Sequence, residues 1–270
     1  MTSSIAFLSD LGIRDEVVGV CHAVIGRTAP DARILDLSHG IDPMDIQAGA
    51  LALFQALPYL DPDAVVLAVV DPGSGTDRHA LAVRTRAGRL MVGPDNGLLS
   101  LAWAADGGLD WAVAITSPAV ILEPHSPVLD ARDVFAPAAG HLAAGADPST
   151  LGPPVDVAAL MTIDLGEPDV APRRIGAEVI DVDRFGNVRL NVRPAHLDAA
   201  GFRSDEVLEL ATTTSGARAR RIRGYGEAGR EPCGALEDAW GWISIIRFGA
   251  SAADLLGVRV GDLVWMLPAD

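Results

Sequence analysis

AVVLAVV (Ala64–Val70), followed at once by DPGSGTDR (Asp71–Arg78), decides how the first half of this chain folds. A continuous apolar run rich in Val, with no polar alternation, predicts a strand buried on both faces. Asp71 stands where the run ends, and Pro72, Gly73 and Gly75 permit a tight turn and close approach of a ligand. Taken alone, this is a strand-to-loop turn capped by Asp71. Upstream, Ser4–Ser9 is a short apolar run ending at Asp10. Val17, Val18, Cys21, Val24 and Ile25 have helical spacing, and Ala32–Leu37 reads as a strand. Asp45–Leu57 reads as a helix with Asp45 as its N-cap. Downstream come a hairpin over Leu81–Val92 turning at Ala87-Gly88, a helix over Leu98–Ala105, a strand over Trp111–Ile115 and a helix over Asp133–Ala144. Strands alternating with helices predict an α/β domain with a mostly parallel sheet. Ligands bind such sheets beyond the carboxyl ends of the strands, which singles out Asp10 and Asp71. Pro94-Asp95-Asn96-Gly97 is turn chemistry first and a site second.

From Asp147 to Pro172 Pro and Gly become dense, and DPSTLGPP and GEPDVAP predict a linker. Beyond it the pattern is short β-rich runs at Gly176–Asp181, Val188–Val192, Val207–Ala211, Trp242–Ile246 and Leu263–Met266, separated by Gly-containing turns. This predicts a small β-barrel or sandwich. The expected division is an N-terminal α/β domain over 1–165 and a C-terminal β-barrel domain over 172–270.

The chain has 270 residues and a formal net charge of −15, with Arg as its only basic residue besides His. So acidic a surface argues against broad nucleic-acid contact, which relies on clustered cations. Arg218–Arg223 is the one basic cluster, and it fits a solvated strand or loop. No apolar stretch is long enough to span a membrane. MTSSIAFLSD has no basic segment before an apolar run, so no signal peptide is expected and the expected location is the cytoplasm. Cys21 and Cys233 lack any paired spacing and read as two buried thiols in a reducing compartment.

Four segments in fixed order carry more weight than any alone: FLSDLGIRDEVVG, ILDLSHGIDPMDI, VVDPGSGTDR and GPDNGLLS. With VIDVDRFGNVRLNV and FGASAADLLGVRVGD in the second half, the chain resembles the S-adenosyl-L-methionine (SAM) hydroxide adenosyltransferases, or SAM hydrolases, which are related to the fluorinase and chlorinase. The resemblance covers nearly the whole chain. It implies hydrolysis of SAM at C5′ to adenosine and L-methionine. It also implies a homotrimer, with each site between one subunit's first domain and a neighbour's second. Asp71 and Arg78 match two members of an Asp-Arg-His set that handles the attacking water. Asp10 would accept hydrogen bonds from the ribose hydroxyls. Phe185 and Asn187 would lie beside the adenine, and Asp183 would hold the methionine ammonium. Met44, Trp240 and Arg247 complete the implied substrate-binding set. A sulfonium is already a good leaving group, so neither a general acid nor a metal is needed. The spacing shows no metal-ligand cluster, and no cofactor beyond the substrate is expected.

Two departures stand out. Where the family has a segment like S-x-T-F-H-G-R-D, this chain has Ser126-Pro127-Val128-Leu129-Asp130-Ala131-Arg132-Asp133, so the catalytic His position holds Asp130. Asp71 and Asp130 would flank Arg78 and could share a proton as a base, or the site could be crippled. His125 and His39 read as structural or loop histidines. Where the family has N-S-x-G, this chain has Asp238-Ala239-Trp240-Gly241. Trp240 either stacks on the sulfonium methyl or, with Trp242, fills a subunit interface. Three classes follow: a SAM hydrolase, a non-catalytic SAM or adenosine binder, and a halide-using relative. The last is disfavoured because Asp71 would repel an anion and Arg78–Val92 carries no insertion.

Overall fold

The computed structural model describes residues 4–227 and 231–269. Contacts divide the chain into two compact units, Met1–Ile163 and Asp164–Asp270.

The first unit is built on a six-stranded sheet of order β2-β1-β3-β5-β4-β6. The strands are β1 (Ser4–Ser9), β2 (Arg33–Ser38), β3 (Val65–Val69), β4 (Ala80–Thr85), β5 (Leu90–Pro94) and β6 (Leu109–Ala114). β2, β1, β3 and β5 run parallel, and β4 is antiparallel to both β5 and β6. The sheet is therefore mostly parallel, with the expected β4–β5 hairpin inserted. β3 is buried along its whole length, because helices cover both faces. Ile5, Phe7, Val65 and Leu67 pack with Val24 and Ile25 of α1 (Val17–Thr28) and Ala138 and Leu142 of α4 (Ala136–Ala143). Ala6, Leu8, Val66 and Ala68 face Leu53 of α2 (Ile46–Ala56) and Ala102 of α3 (Ser100–Ala105). The period-two alternation of β1 and β3 thus feeds two separate cores. Asp45 caps α2 by accepting the Ala48 N–H at 2.9 Å, as its position before the apolar run predicts.

The strand directions set the site. The carboxyl ends of β2, β1, β3 and β5 lie at one end of the sheet, and His39, Asp10, Asp71 and Asn96 follow them in turn. The Asp10 N–H donates to Val69 O at 3.2 Å, and Asn96 Nδ2 donates to Val70 O at 2.8 Å. The strand ends are therefore stitched to one another, not left as loose loops.

The first part of the expected linker is not a free connection. The Ala114 N–H donates to Pro153 O, the Val155 N–H to Ala112 O, and the Thr116 N–H to Leu151 O. Leu151 is fully buried and Leu160 nearly so. Proline removes a donor but keeps its carbonyl, so a Pro-rich segment can still accept hydrogen bonds along a sheet edge.

The second unit is a closed seven-stranded barrel, β14-β10-β11-β12-β13-β9-β8, with β8 pairing back to β14 and β7 added outside. Its strands are β7 (Asp169–Ala171), β8 (Arg174–Val182), β9 (Val188–Leu190), β10 (Val207–Ala211), β11 (Gly216–Arg221), β12 (Cys233–Glu237), β13 (Ile243–Ile246) and β14 (Leu263–Pro268). Two short helices, α5 (Pro194–Ala199) and α6 (Ala252–Leu256), pack against it. Among the described residues closure leaves no unpaired strand in the ring. The basic cluster lies on β11 and its end, where Arg218 and Arg220 face Glu231 and Arg221 pairs with Asp198. Cys21 and Cys233 are both free and buried, and burial pushes the Cys21 thiol up to about 11. Among the described residues no helix is long and apolar enough to cross a membrane.

Candidate active site

In the first unit, the loop after β3 places Asp71 and Arg78 face to face. Arg78 Nε donates to Asp71 Oδ1 at 2.7 Å, and Nη2 donates to Asp71 Oδ2. The same Nη2 donates to Asp130 Oδ2 at 2.6 Å. Asp130 immediately precedes a π-helical turn, Ala131–Phe135, that leads into α4. Phe135 from that turn lies under the guanidinium, 5.2 Å from ring centre to Cζ. All three charged side chains are largely buried, at 11% exposure for Arg78, 6% for Asp71 and 12% for Asp130. Three such groups are tolerated only because each charge is met by its opposite. The guanidinium separates the carboxylates, and no hydrogen bond joins Asp71 to Asp130 among the described residues. Direct sharing of one proton, one of the two alternatives the sequence left open, has no hydrogen bond behind it here.

The second oxygen of Asp130 has a different partner. His125 Nε2 lies 3.1 Å from Asp130 Oδ1. A carboxylate only accepts, so Nε2–H donates, and in the neutral imidazole Nδ1 then carries the lone pair. His125 is thus no free loop histidine. The 71–78 and 125–130 loops are held together by Ser74 Oγ, which donates to Pro127 O at 3.5 Å. At Gly75, with φ at +78°, a Cβ would stand 2.7 Å from Pro127 O; only glycine allows this approach. A cavity of about 310 Å³ opens here, and Arg78, His125 and Asp130 line it with Thr76 and Pro127. Asp71 is not among its lining residues and sits behind Arg78.

Asp10, at the neighbouring strand end, accepts the Met44 N–H at 2.9 Å through Oδ2. Met44 has φ at +68° and is 68% exposed. Asp10→Ala removes the acceptor for this N–H and the acceptor that the family resemblance implies for the sugar hydroxyls. We expect adenosine affinity to fall by on the order of 1–3 kcal/mol; equal affinity of both proteins by calorimetry would remove the ribose assignment.

In the second unit, Asp183 organises the β8–β9 turn. Its Oδ1 accepts the N–H groups of Phe185 and Asn187 at 2.8 and 3.0 Å, and Oδ2 accepts Asn187 Nδ2 at 2.8 Å. Gly186, at φ +79°, lets Ser251 pack where a Cβ would be 2.3 Å from its Oγ. The turn leaves Phe185 72% exposed beside Phe248 at 76% and Tyr225 at 54%. These three aromatics, with Asn187, Arg247 and Ser251, line a cavity of about 520 Å³. Exposed aromatics around an amide suit a flat polar ring. Tyr225 Oη also lies 3.3 Å from Asn187 Nδ2. Sequence reasoning did not single out Tyr225 or Phe248, which line this cavity. Phe248 adjoins Arg247 in a quoted motif and was within reach, whereas nothing in Arg223-Gly224-Tyr225-Gly226 marks the tyrosine.

Trp240 belongs to the β12–β13 turn and does not line that cavity. Asp238 accepts the Trp240 and Trp242 N–H groups at 2.9 and 3.1 Å and the Arg189 guanidinium at 2.6 Å. Trp242 is buried under Arg193 of its own chain, with Cζ 3.2 Å from the ring centre.

The histidine read as structural, His39, is buried, yet it has company the sequence spacing hid. His22 from α1, Asp36 from β2 and His39 converge, with one ligand atom of each within 4.8 Å of the others. The spacing along the sequence did not show this grouping. His22 comes from α1, Asp36 from β2 and His39 from the loop after β2, and the fold brings them together.

Two family models match the chain, the SAM hydroxide adenosyltransferase N-terminal domain over residues 5–152 and its C-terminal domain over 177–265. The chain belongs to the SAM hydroxide adenosyltransferase family. An (R)-S-adenosyl-L-methionine hydrolase of Salinispora arenicola is 42% identical, covering 97% of this chain and 96% of that protein. One from Thermus thermophilus is 38% identical, covering 97% and 98%. A fluorinase of Nocardia brasiliensis is 30% identical over 73% of each chain. The crystal structure of an uncharacterized conserved protein from Thermotoga maritima superposes with a TM-score of 0.88 at 29% identity, covering 97% of this chain and 99% of that one. Within this member of the family, Asp130 occupies the position the resemblance gives to histidine, and the His125 imidazole lies against its carboxylate.

Proposed function

We propose that the protein hydrolyses SAM at C5′, releasing adenosine and L-methionine, with the (R) sulfonium epimer as substrate. The observation that carries the reading is the buried Asp71–Arg78–Asp130 array, with His125 hydrogen-bonded to its cavity side. The names of the hydrolases most similar to the chain support the choice of epimer.

The chemistry needs orientation and a proton acceptor. The water oxygen bonds to C5′ as the carbon–sulfur bond breaks, and that electron pair leaves on sulfur to give the neutral thioether of methionine. The water must stand in line with the breaking bond. Arg78 and the carboxylates it joins fix that position. The proton passes to His125 Nδ1. Asp130 then holds the imidazolium, as a buried carboxylate does for histidine elsewhere. Asp71 acts by pinning Arg78. Asp10 receives the ribose hydroxyls and Phe185 and Asn187 the adenine. Asp183, Met44, Trp240 and Arg247 remain assigned to the methionine and loop contacts that the family resemblance implies. The protein acts as a homotrimer in a reducing cytoplasm, which two free buried thiols fit.

Incubation with (R)-SAM in ¹⁸O water tests the reading. Adenosine labelled at its 5′ oxygen and L-methionine should appear, with no 5′-halo product in added chloride or fluoride. The same preparation should scatter light as three subunits. Adenosine binding without release above the uncatalysed rate would replace the hydrolase with a binding protein.

A further inference from the structure

His22, Asp36 and His39 lie apart from the Asp71–Arg78–Asp130 array, and their geometry does not require the hydrolase reading. His22 Nε2 is 2.9 Å from Asp36 Oδ1, and His39 Nε2 is 3.0 Å from the same oxygen. The two contacts are not equivalent. His39 is 6% exposed, and its Nε2 is buried with no hydrogen-bond partner. No hydrogen bond is aligned between His39 Nε2 and Asp36. The other ring nitrogen, Nδ1, lies 2.7 Å from Ser9 Oγ. When Nδ1–H donates to Ser9, Nε2 carries a lone pair. A buried lone pair aimed beside a carboxylate oxygen, with no proton aligned between them, is the environment of a cation.

The spacing suits one class of ion. Ligands on a tetrahedral zinc at about 2.0–2.1 Å stand about 3.3 Å from one another, close to the two separations seen here. Two imidazoles and one carboxylate match the donor set of zinc and other late first-row ions, not that of magnesium or calcium. The supporting contacts are in place. Phe7 meets the His39 ring edge-on at 4.6 Å and the His22 ring at 6.1 Å, which fixes both planes. The Ser9 hydrogen bond orients His39 from behind, as outer groups do for metal-bound histidines. His22 and Asp36 are 33% and 42% exposed, so an ion can enter and a fourth position faces solvent.

We propose that His22, Asp36 and His39 bind one late first-row divalent cation of the zinc class, with water as the fourth ligand. The ion is structural. His39 O accepts the Gly12 N–H at 2.8 Å, and Ser9, bonded to His39, precedes Asp10. Coordination of His39 therefore ties down the segment from Ser9 to Gly12 at the end of β1.

The test uses chelator-treated full-length protein titrated with Co²⁺ and, separately, Zn²⁺. Wild type should bind one ion per chain, show the intense visible absorption of four-coordinate cobalt, and melt at a higher temperature with zinc. His22→Ala changes a partly exposed helix residue and Asp36→Asn keeps the shape. Each should lose the cobalt spectrum and the zinc-dependent shift in melting, with affinity falling at least about tenfold, while keeping the metal-free melting temperature near wild type. No cobalt spectrum and no zinc-dependent shift in wild type would overturn the proposal. So would binding that both variants retain unchanged, because that places the ion on other histidines.

Discussion

Asp71→Asn should lower the release of adenosine from SAM by on the order of 10²–10³ while leaving adenosine affinity near wild type. Asp71 meets Arg78 through both oxygens. The amide keeps the volume but replaces one acceptor with a donor, so one of the two guanidinium contacts becomes N–H against N–H. Arg78 then retains Asp130 as its only anionic partner and shifts toward it. A displacement of about 1 Å in a group that orients a reacting water is enough to cost about 10²-fold. Adenosine is held by Asp10, Phe185 and Asn187 in the proposed site, and Asp71 has no part in that contact set. Breaking a buried charge pair by removing one partner costs about 3–5 kcal/mol, so melting temperature must be recorded beside activity. Turnover at the wild-type rate in a folded Asp71→Asn protein would detach the array from catalysis.

The second large effect concerns the imidazole. His125→Ala should reduce turnover by about 10²–10⁴, the usual contribution of a positioned proton acceptor. The residue is 37% exposed and faces a cavity, so imidazole added to the solution can reach the vacated space and should recover part of the rate. Loss of a merely structural histidine would not be repaired in this way. Asp130→His supplies the imidazole at the family's own position. In that background the further change His125→Ala should cost little, because the acceptor no longer comes from the loop. Equal losses from His125→Ala in both backgrounds, with no recovery by imidazole, would assign His125 to the fold and not to the proton.

Much of the first unit could be read from local pattern. β3 is an uninterrupted apolar run because both its faces are covered, and Asp45 is a helix cap by position alone. Asp71 and Arg78 are seven residues apart on one turn, so their pairing was also within reach. Pairings across the fold were not. His125 and Asp130 are close in sequence, but only the π-helical turn after Asp130 turns the carboxylate toward both Arg78 and the imidazole. His22 and Asp36 belong to a helix and a strand that each look ordinary. In the barrel, β12 escaped notice because Cys233–Glu237 is short and contains a glycine. β11 was hidden by its arginines, which suit a loop as well as a strand. β11 and β12 also pair in parallel, an arrangement no hairpin signal announces.

The proline-bearing segment along β6 has a consequence for how these molecules meet one another. A strand at the border of a sheet is a template, and any passing chain with free amides and carbonyls can extend it. Here the border is occupied by Leu151–Val155, and residues 153 and 154 of that segment are both prolines, which have no N–H to offer outward. The ladder therefore ends in a chain that accepts hydrogen bonds inward and donates few to the outside. Self-association through this side must rely on side chains, and in a crowded cell growth of the sheet from molecule to molecule is blocked at this border by covalent structure, whatever the net charge of the surface.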